Sequence, residues 1–405
     1  MIRKLLGASA LSLALLAPAT AQEIEPADWD AVTEGAKGQT VYLNAWGGSE
    51  TINDYLEWAG GRLQEEYGVT LEHVKLGDTA EAVSKVVAEA AAGRDTGGSV
   101  DMIWINGENF ASMKEAGLLL APDWASKLPN WELADVEGQP TILTDFTIPV
   151  EGLASPWGGA KLTFFHDSAV DTGKLPTSAA ELQEWAAANP GRFSYPAPPD
   201  FVGSSFLKQL LTELTDDPAK LLEPVDPQTV ESDLEPLFSY LDQLHPNLWR
   251  SARAFPQNYP DMRQKLADGE LDIIFAFNPG EAQAGINAGE LPDTVRPFTF
   301  DGGTLGNTHF LTIPFNANSK AGALVAANFL LSPEAQIRKQ DPQYWGDPTV
   351  LAISKLNEED RAAFEAIDLG PATLPPDELG PKLDEPHPTW MEAIERVWAA
   401  RYGTG

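Results

Sequence analysis

Four short segments combine glycine with side chains that both donate and accept hydrogen bonds. They are Trp46-Gly47-Gly48-Ser49, Asn106-Gly107-Glu108-Asn109, Gly203-Ser204-Ser205 and Asn278-Pro279-Gly280-Glu281. Glycine lets a backbone approach a small molecule closely, and Asn and Ser serve it as donor or acceptor. Each segment leads into a run with helical spacing, whose first-turn N–H groups are free to bond whatever sits in front of them. The same residue types cap helices, so capping is an equal reading for any one segment. Asn278 and Glu281 even have the spacing of a capping box. Four such segments in one chain favour a shared task, gripping a small polar molecule.

Tryptophan is the second signal, with twelve in the chain. Trp46 and Trp104 stand at the ends of apolar runs, and Trp157 sits in Ser155-Pro156-Trp157-Gly158-Gly159. Core filling is the ordinary role of such rings. A large ring beside two glycines also suits stacking, and with Glu108 and Glu281 nearby in these segments a cationic or heteroaromatic molecule fits through cation–π attraction. Tyr259 and Trp345 are further candidates for the same wall. Loss of binding is expected on replacing Trp46 or Trp157 by alanine.

Catalytic patterns are mostly missing. There is no G-x-S-x-G, no H-E-x-x-H and no P-loop, and Gly302-Gly303-Thr304-Leu305-Gly306 lacks the spacing of a dinucleotide fingerprint. The five histidines, His73, His166, His245, His309 and His387, include no pair at i, i+3 or i, i+4, the spacing that would put two metal ligands on one helix face. No catalytic residue, metal site or cofactor is therefore expected. A pair of carboxylates in a cleft remains open as a hydrolase alternative, because 60 acidic residues make chance neighbours common.

The chain has 405 residues, 27 Lys plus Arg and a formal charge of −33. Nucleic acid and anionic membranes repel such a surface. Arg3 and Lys4 precede an apolar run from Leu5 to Ala17, and Ala19-Thr20-Ala21 offers the small residues of a signal-peptidase site, so cleavage is expected after Ala21. No cysteine is present, so neither a lipid anchor nor a disulfide is available. The expectation is a free periplasmic protein without a membrane anchor.

The elements that must position these segments alternate between strand and helix, in short apolar runs typical of buried strands. Val41–Leu43, Val69–Leu71 and Asp101–Ile105 read as strands, with a helix over 80–92 ending at Gly93. A second α/β lobe starts after Leu162–Phe165, with Ser178 to Glu181 as a capping box. It continues through a helix from Phe206 and the strand Leu271–Phe277. Thr308–Phe315 reads as a later strand, followed by helices over 321–331 and after Ser332-Pro333, an extended tail from Pro371 to Pro388, and a closing helix over 389–402. The fold class is α/β.

Several stretches carry a family resemblance: Val41–Trp46, Ala154–Ala160, Gly269–Phe275, Leu311–Asn318 and above all Ala326-Ala-Asn-Phe-Leu-Leu-Ser-Pro-Glu-Ala-Gln336. In these the chain resembles the extracellular solute-binding proteins of ABC transporters, the two-lobed class with two or three chain crossovers, and within it the YnjB-like subgroup. The resemblance implies two α/β lobes joined by a hinge, closing on a small molecule held between them. It implies a leader over 1–21, lobe 1 over 22–157, lobe 2 over 158–304, a return to lobe 1 over 305–345, and a segment over 346–405 packing mainly on lobe 2. It also implies an inner-membrane ABC permease as partner and a monomeric receptor. Trp46, Asn106, Glu108, Trp157, Ser204, Ser205, Asn278 and Asn307 are the positions it assigns to the cleft. The missing Tyr-Tyr pair disfavours ferric iron. The Asn44-Ala45-Trp46 segment is similar to polyamine binders, and the aromatic content also suits a thiamine-like ligand.

Overall fold

The computed structural model describes residues 26–120, 123–375 and 378–403, so the expected leader lies outside the described residues. The first lobe is built on a mixed sheet. Strands β1 (Thr40–Trp46), β2 (Thr70–Leu76) and β3 (Met102–Ile105) run parallel with β1 in the middle. Each is followed by a helix: α2 (Glu50–Tyr67), α3 (Ala80–Ala91) and α4 (Gly107–Glu115), while α1 (Trp29–Ala36) precedes the sheet. Ser49 starts α2 by accepting from the Ile52 N–H, and Gly68 ends it at φ 66°, where only glycine is unstrained. A short hairpin, β4 (Thr144–Asp145) and β5 (Ile148–Pro149), leads to β6 (Ala154–Lys161).

Leu162 alone separates β6 from β7 (Thr163–Asp167), the centre of the second lobe's sheet, flanked by β8 (Ile273–Ala276) and β9 (Val295–Phe298). The chain returns along β10 (Thr304–Thr312), every residue of which is buried. That strand lies antiparallel between β3 and β6. Phe310 faces Pro156 while His309 faces Gly158, which leaves Trp157 as the extra residue of a β-bulge.

Helices α5 (Ala179–Ala188), α6 (Phe201–Leu214), α7 (Val230–Leu244), α8 (Tyr259–Ala267) and α9 (Glu281–Asn287) clothe the second lobe. Its core centres on Phe164, Phe193, Phe206 and Phe275, with stacked rings at Phe206 and Phe275. In the first lobe α10 (Lys320–Leu330) and α11 (Pro333–Gln340) cover the face holding Val41, Leu43, Tyr55 and Trp157. A second cluster around Ile103, Phe110 and Phe310 fills the opposite face, as strands covered on both sides require.

The C-terminal segment divides between the lobes. Val350, Leu351 and, from α12 (Glu358–Glu365), Phe364 pack with Ala134 and Leu331 of the first lobe. Past the short strand β11 (Lys382–Leu383), α13 (Pro388–Tyr402) buries Trp390, Ile394 and Trp398 in the second. The chain thus passes between the two lobes three times. Helix α6 also begins earlier than its apolar spacing suggests: the Asp200 carboxylate accepts from the Val202 and Gly203 N–H groups at 3.0 and 3.1 Å, so Gly203, Ser204 and Ser205 belong to its first turns and not to a preceding loop. Among the described residues no helix is long and apolar enough to cross a membrane.

Candidate functional site

Two helices from different lobes meet, α4 of the first lobe and α13 of the second. Around that meeting the fold gathers acidic groups. Glu108 stands in the first turn of α4 and is half-buried; its Oε1 accepts from Asn109 Nδ2 at 2.9 Å, while its Oε2 is buried without a partner. Burial pushes its carboxyl up to about 7, against the pull of its own backbone amide and of Lys208, with Glu395 and Asp78 adding repulsion.

Asp145, from the β4–β5 hairpin, is fully buried, and neither of its oxygens has a well-formed hydrogen bond. Burial holds its carboxyl well above the usual carboxylate range; the Gly107 amide and Lys208 offset part of this, and Glu108 and Glu385 reinforce it. From the second lobe, Glu395 of α13 accepts from Ser204 Oγ at 2.7 Å, and burial raises its carboxyl as well. Glu385, just after β11, takes two donors: Lys208 Nζ at 2.6 Å and Asn307 Nδ2 at 3.0 Å. Ser205 Oγ is buried and unpartnered one residue along from Ser204.

Phe146 closes this compartment on the first-lobe side. A Cβ on Gly107 would lie 2.8 Å from the Phe146 ring, so glycine is required there for the ring to rest on the start of α4. Beyond the ring is a cavity of about 230 Å³ lined by Thr141, Thr144, Thr147, Asn307, Asp384 and Glu385 among others. Asn307 Oδ1 and Thr147 Oγ1 are buried there without partners.

The aromatic residues gather elsewhere. Trp104, Trp157 and Trp345 pack edge to face, with centroids 5.1 Å apart for Trp104–Trp157 and Trp157–Trp345 and 5.6 Å for Trp104–Trp345. Trp157 and Trp345 are buried in the first lobe and Trp104 is half-buried. Under them lies an ion cluster in which Asp347 meets Lys339 and, at 3.1 Å, His309 Nε2. Burial alone would raise the Asp347 carboxyl; Lys339 and His309 reverse this and hold it below its ordinary value. Gly158 makes room for the cluster, since a Cβ there would sit 1.8 Å from Asp347 Oδ2.

Trp46 is half-buried and packs against the cores of both lobes. Its ring lies on Gly48, where a Cβ would come within 2.3 Å of it, and a Cβ on Gly47 would meet Lys75. Ser49 caps α2, and Asn106 precedes α4 without a side-chain cap bond. Asn278 accepts from the Gly280 N–H at 3.0 Å and donates across the cleft to the Trp345 carbonyl at 3.4 Å. Tyr259 and Glu281 form a separate buried group on the second lobe, where Arg263 reaches Glu281 at 3.3 Å and Glu290 at 2.8 Å.

The structure thus brings Glu108, Ser204, Ser205 and Asn307 to one acidic compartment, and Trp104 and Trp157 to one aromatic cluster. Asp145, Phe146, Lys208, Glu385 and Glu395 were missed in sequence. One signal was available: Lys208 interrupts the apolar run Phe206-Leu207-Lys208-Gln209-Leu210-Leu211. Chemically the compartment is rich in acceptors and poor in donors, and among the described residues no three His, Asp or Glu side chains are arranged to hold a metal ion.

The profile of the family described as "Bacterial extracellular solute-binding protein" matches residues 58–358. Protein YnjB of Escherichia coli (strain K12) is 48% identical over 377 residues, which is 93% of this chain and 94% of that protein. Among solved structures, the spermidine/putrescine ABC transporter substrate-binding protein PotD from Streptococcus pneumoniae is similar with a TM-score of 0.57 and 18% identity, covering 89% of this chain and 99% of that one. The periplasmic binding protein AfuA from Actinobacillus pleuropneumoniae, with fructose-6-phosphate bound, is similar with a TM-score of 0.62 and 14% identity, covering 91% and 99%. Two neighbours named for such different solutes share the fold alone with this chain. Fold and family together make it a periplasmic or extracellular binding protein and not an enzyme: the chain belongs to the bacterial extracellular solute-binding protein family of ABC transporters.

Proposed function

We propose that this protein is a monomeric periplasmic receptor that delivers a small cationic solute to an inner-membrane ABC permease. The observation that supports a cation is the set of buried, unpartnered carboxylate oxygens on Glu108 and Asp145, facing Glu395 and Glu385 across the lobe interface. A buried acceptor without a donor is costly, and a buried carboxylate more so, unless a positive donor reaches it. A protonated amine or comparable cation supplies the charge and the N–H groups together. Trp46, half-buried at the end of β1 and packed against the cores of both lobes, adds a ring face at the lobe interface suited to such a group. Bound cation would join α4 and the hairpin of one lobe to α6 and α13 of the other, and contacts made only in the closed form are what turn binding into closure. The carboxylate-dependent hydrolase is set aside, since the family binds its solutes without transforming them.

Native mass spectrometry of the protein taken from its periplasm, followed by denaturation and identification of the released molecule, tests this reading. Release of a stoichiometric cation, with binding weakened at least tenfold in Glu108→Gln and Asp145→Asn, is the expected result. A neutral or anionic solute would sink the proposal.

A further inference from the structure

Lys208 has no place in an apolar core, yet its side chain is fully buried on α6 between Leu207 and Gln209, at a position where Met or Leu would pack without a charge to satisfy. What surrounds it comes from both lobes. Its ammonium donates to Glu385 Oε2 at 2.6 Å and lies 4.0 Å from the centre of the Phe146 ring. Phe146 belongs to the first lobe, through the β4–β5 hairpin and its seat on Gly107, while α6 belongs to the second. Glu108, Asp145 and Glu395 all feel the Lys208 charge, which favours their ionised forms.

Phe146 also carries a backbone strain that fits this arrangement. Its φ is +53°, a conformation that bulky side chains rarely adopt and that persists only where the surroundings impose it. The ring is held between the Gly107 backbone and the Lys208 ammonium, so the strained turn serves to present an aromatic face to a cation from the opposite lobe.

We infer that Lys208 is a tethered cation of the acidic compartment, which holds the lobes together through Phe146 and the surrounding carboxylates when no solute is bound. This rests on the cationic-solute reading in one respect: an incoming cation then competes with a charge the protein already carries, and Lys208 sets how much positive charge the site accepts. The latch itself does not depend on what the solute is.

The test uses the mature chain, unfolded and refolded to strip small molecules, with emptiness checked by native mass spectrometry. Small-angle scattering then gives the radius of gyration of the wild type, Lys208→Met, Lys208→Arg, Phe146→Leu and the double variant Lys208→Met/Glu385→Gln. The double variant removes both members of the buried pair, so it folds without a stranded carboxylate if Lys208→Met alone does not. We expect a compact stripped wild type, expansion in Phe146→Leu and in both Lys208→Met backgrounds, and a compact form regained in Lys208→Arg. A role confined to packing α6 would lower the melting temperature and leave the radius unchanged. An expanded stripped wild type, or a double variant that folds and stays as compact as the wild type, overturns the latch. Release of a neutral or anionic solute from the native protein would overturn the cationic reading alone and leave the scattering result to decide on Lys208.

Discussion

Gly280 and Gly346 bring the backbones of the two lobes into direct contact: a Cβ on Gly280 would lie 2.4 Å from the Gly346 carbonyl oxygen. The neighbouring Asn278 donates to the Trp345 carbonyl across the same seam. Gly280 has φ −85°, which alanine adopts freely, so Gly280→Ala introduces a steric block only when the lobes are closed. Because Lys208 is proposed to hold the lobes together in the stripped protein as well, the variant is expected to raise the radius of gyration of the stripped protein in small-angle scattering and to bind its solute at least tenfold more weakly. Unchanged affinity by calorimetry would show that closure does not require this contact.

Glu108 makes both stability and binding depend on pH. Its folded-state value is raised from 4.5 to about 7, so the folded protein holds a proton that the unfolded chain releases. The associated stability is present below about pH 4.5 and is lost as pH rises towards 7, on the order of 3 kcal/mol for this one group. Denaturant titrations of the stripped protein are expected to show that loss in the wild type relative to Glu108→Gln. Binding of a cation moves oppositely, since it needs the ionised carboxylate: affinity is expected to rise about tenfold per pH unit up to pH 7 and then level off. A wild type and Glu108→Gln with parallel pH profiles would refute both.

Trp157 and Trp46 separate stability from binding. Trp157 is the bulge residue of β6, fully buried against Trp104, Trp345 and Tyr55, so Trp157→Ala should cost about 3–5 kcal/mol of unfolding free energy. Trp46→Ala, at a half-buried ring touching both lobes, should cost less stability and more affinity. Urea unfolding and calorimetry on the pair check the contrast.

The ion cluster under the aromatic rings is predicted to be intolerant of a single methyl group. Gly158→Ala would drive a Cβ into Asp347, which pairs with the buried Lys339 and with His309. Separating a buried pair leaves a charge uncompensated, at a cost of about 3–5 kcal/mol. A melting temperature within a degree of the wild type in Gly158→Ala would mean that the cluster relaxes around the methyl group.

How much of this was readable beforehand differs by kind. The α/β alternation, the capping of α2 by Ser49 and the capping box of α5 at Ser178 and Glu181 all follow from local rules, because periodicity and capping involve residues close in sequence. The start of α6 was misjudged because Asp200, a cap four residues before Ser204, outweighed the apolar spacing. In the acidic compartment, Glu108 drew attention through its glycine and asparagine neighbours. Asp145, Glu385 and Glu395 looked like any of the other acids.

The sequence by itself determined the fold class and carried the resemblance that points to the family, since both are encoded in contiguous patterns of apolar spacing, small residues and caps. Tertiary structure alone decided which carboxylates lose their water. Glu108, Asp145, Glu385 and Glu395 stand up to 287 positions apart and meet only because β10 returns to the first lobe and α13 docks on the second. Burial shifts a carboxyl and strands its acceptors, and burial is a property of packed lobes that no single stretch of chain carries.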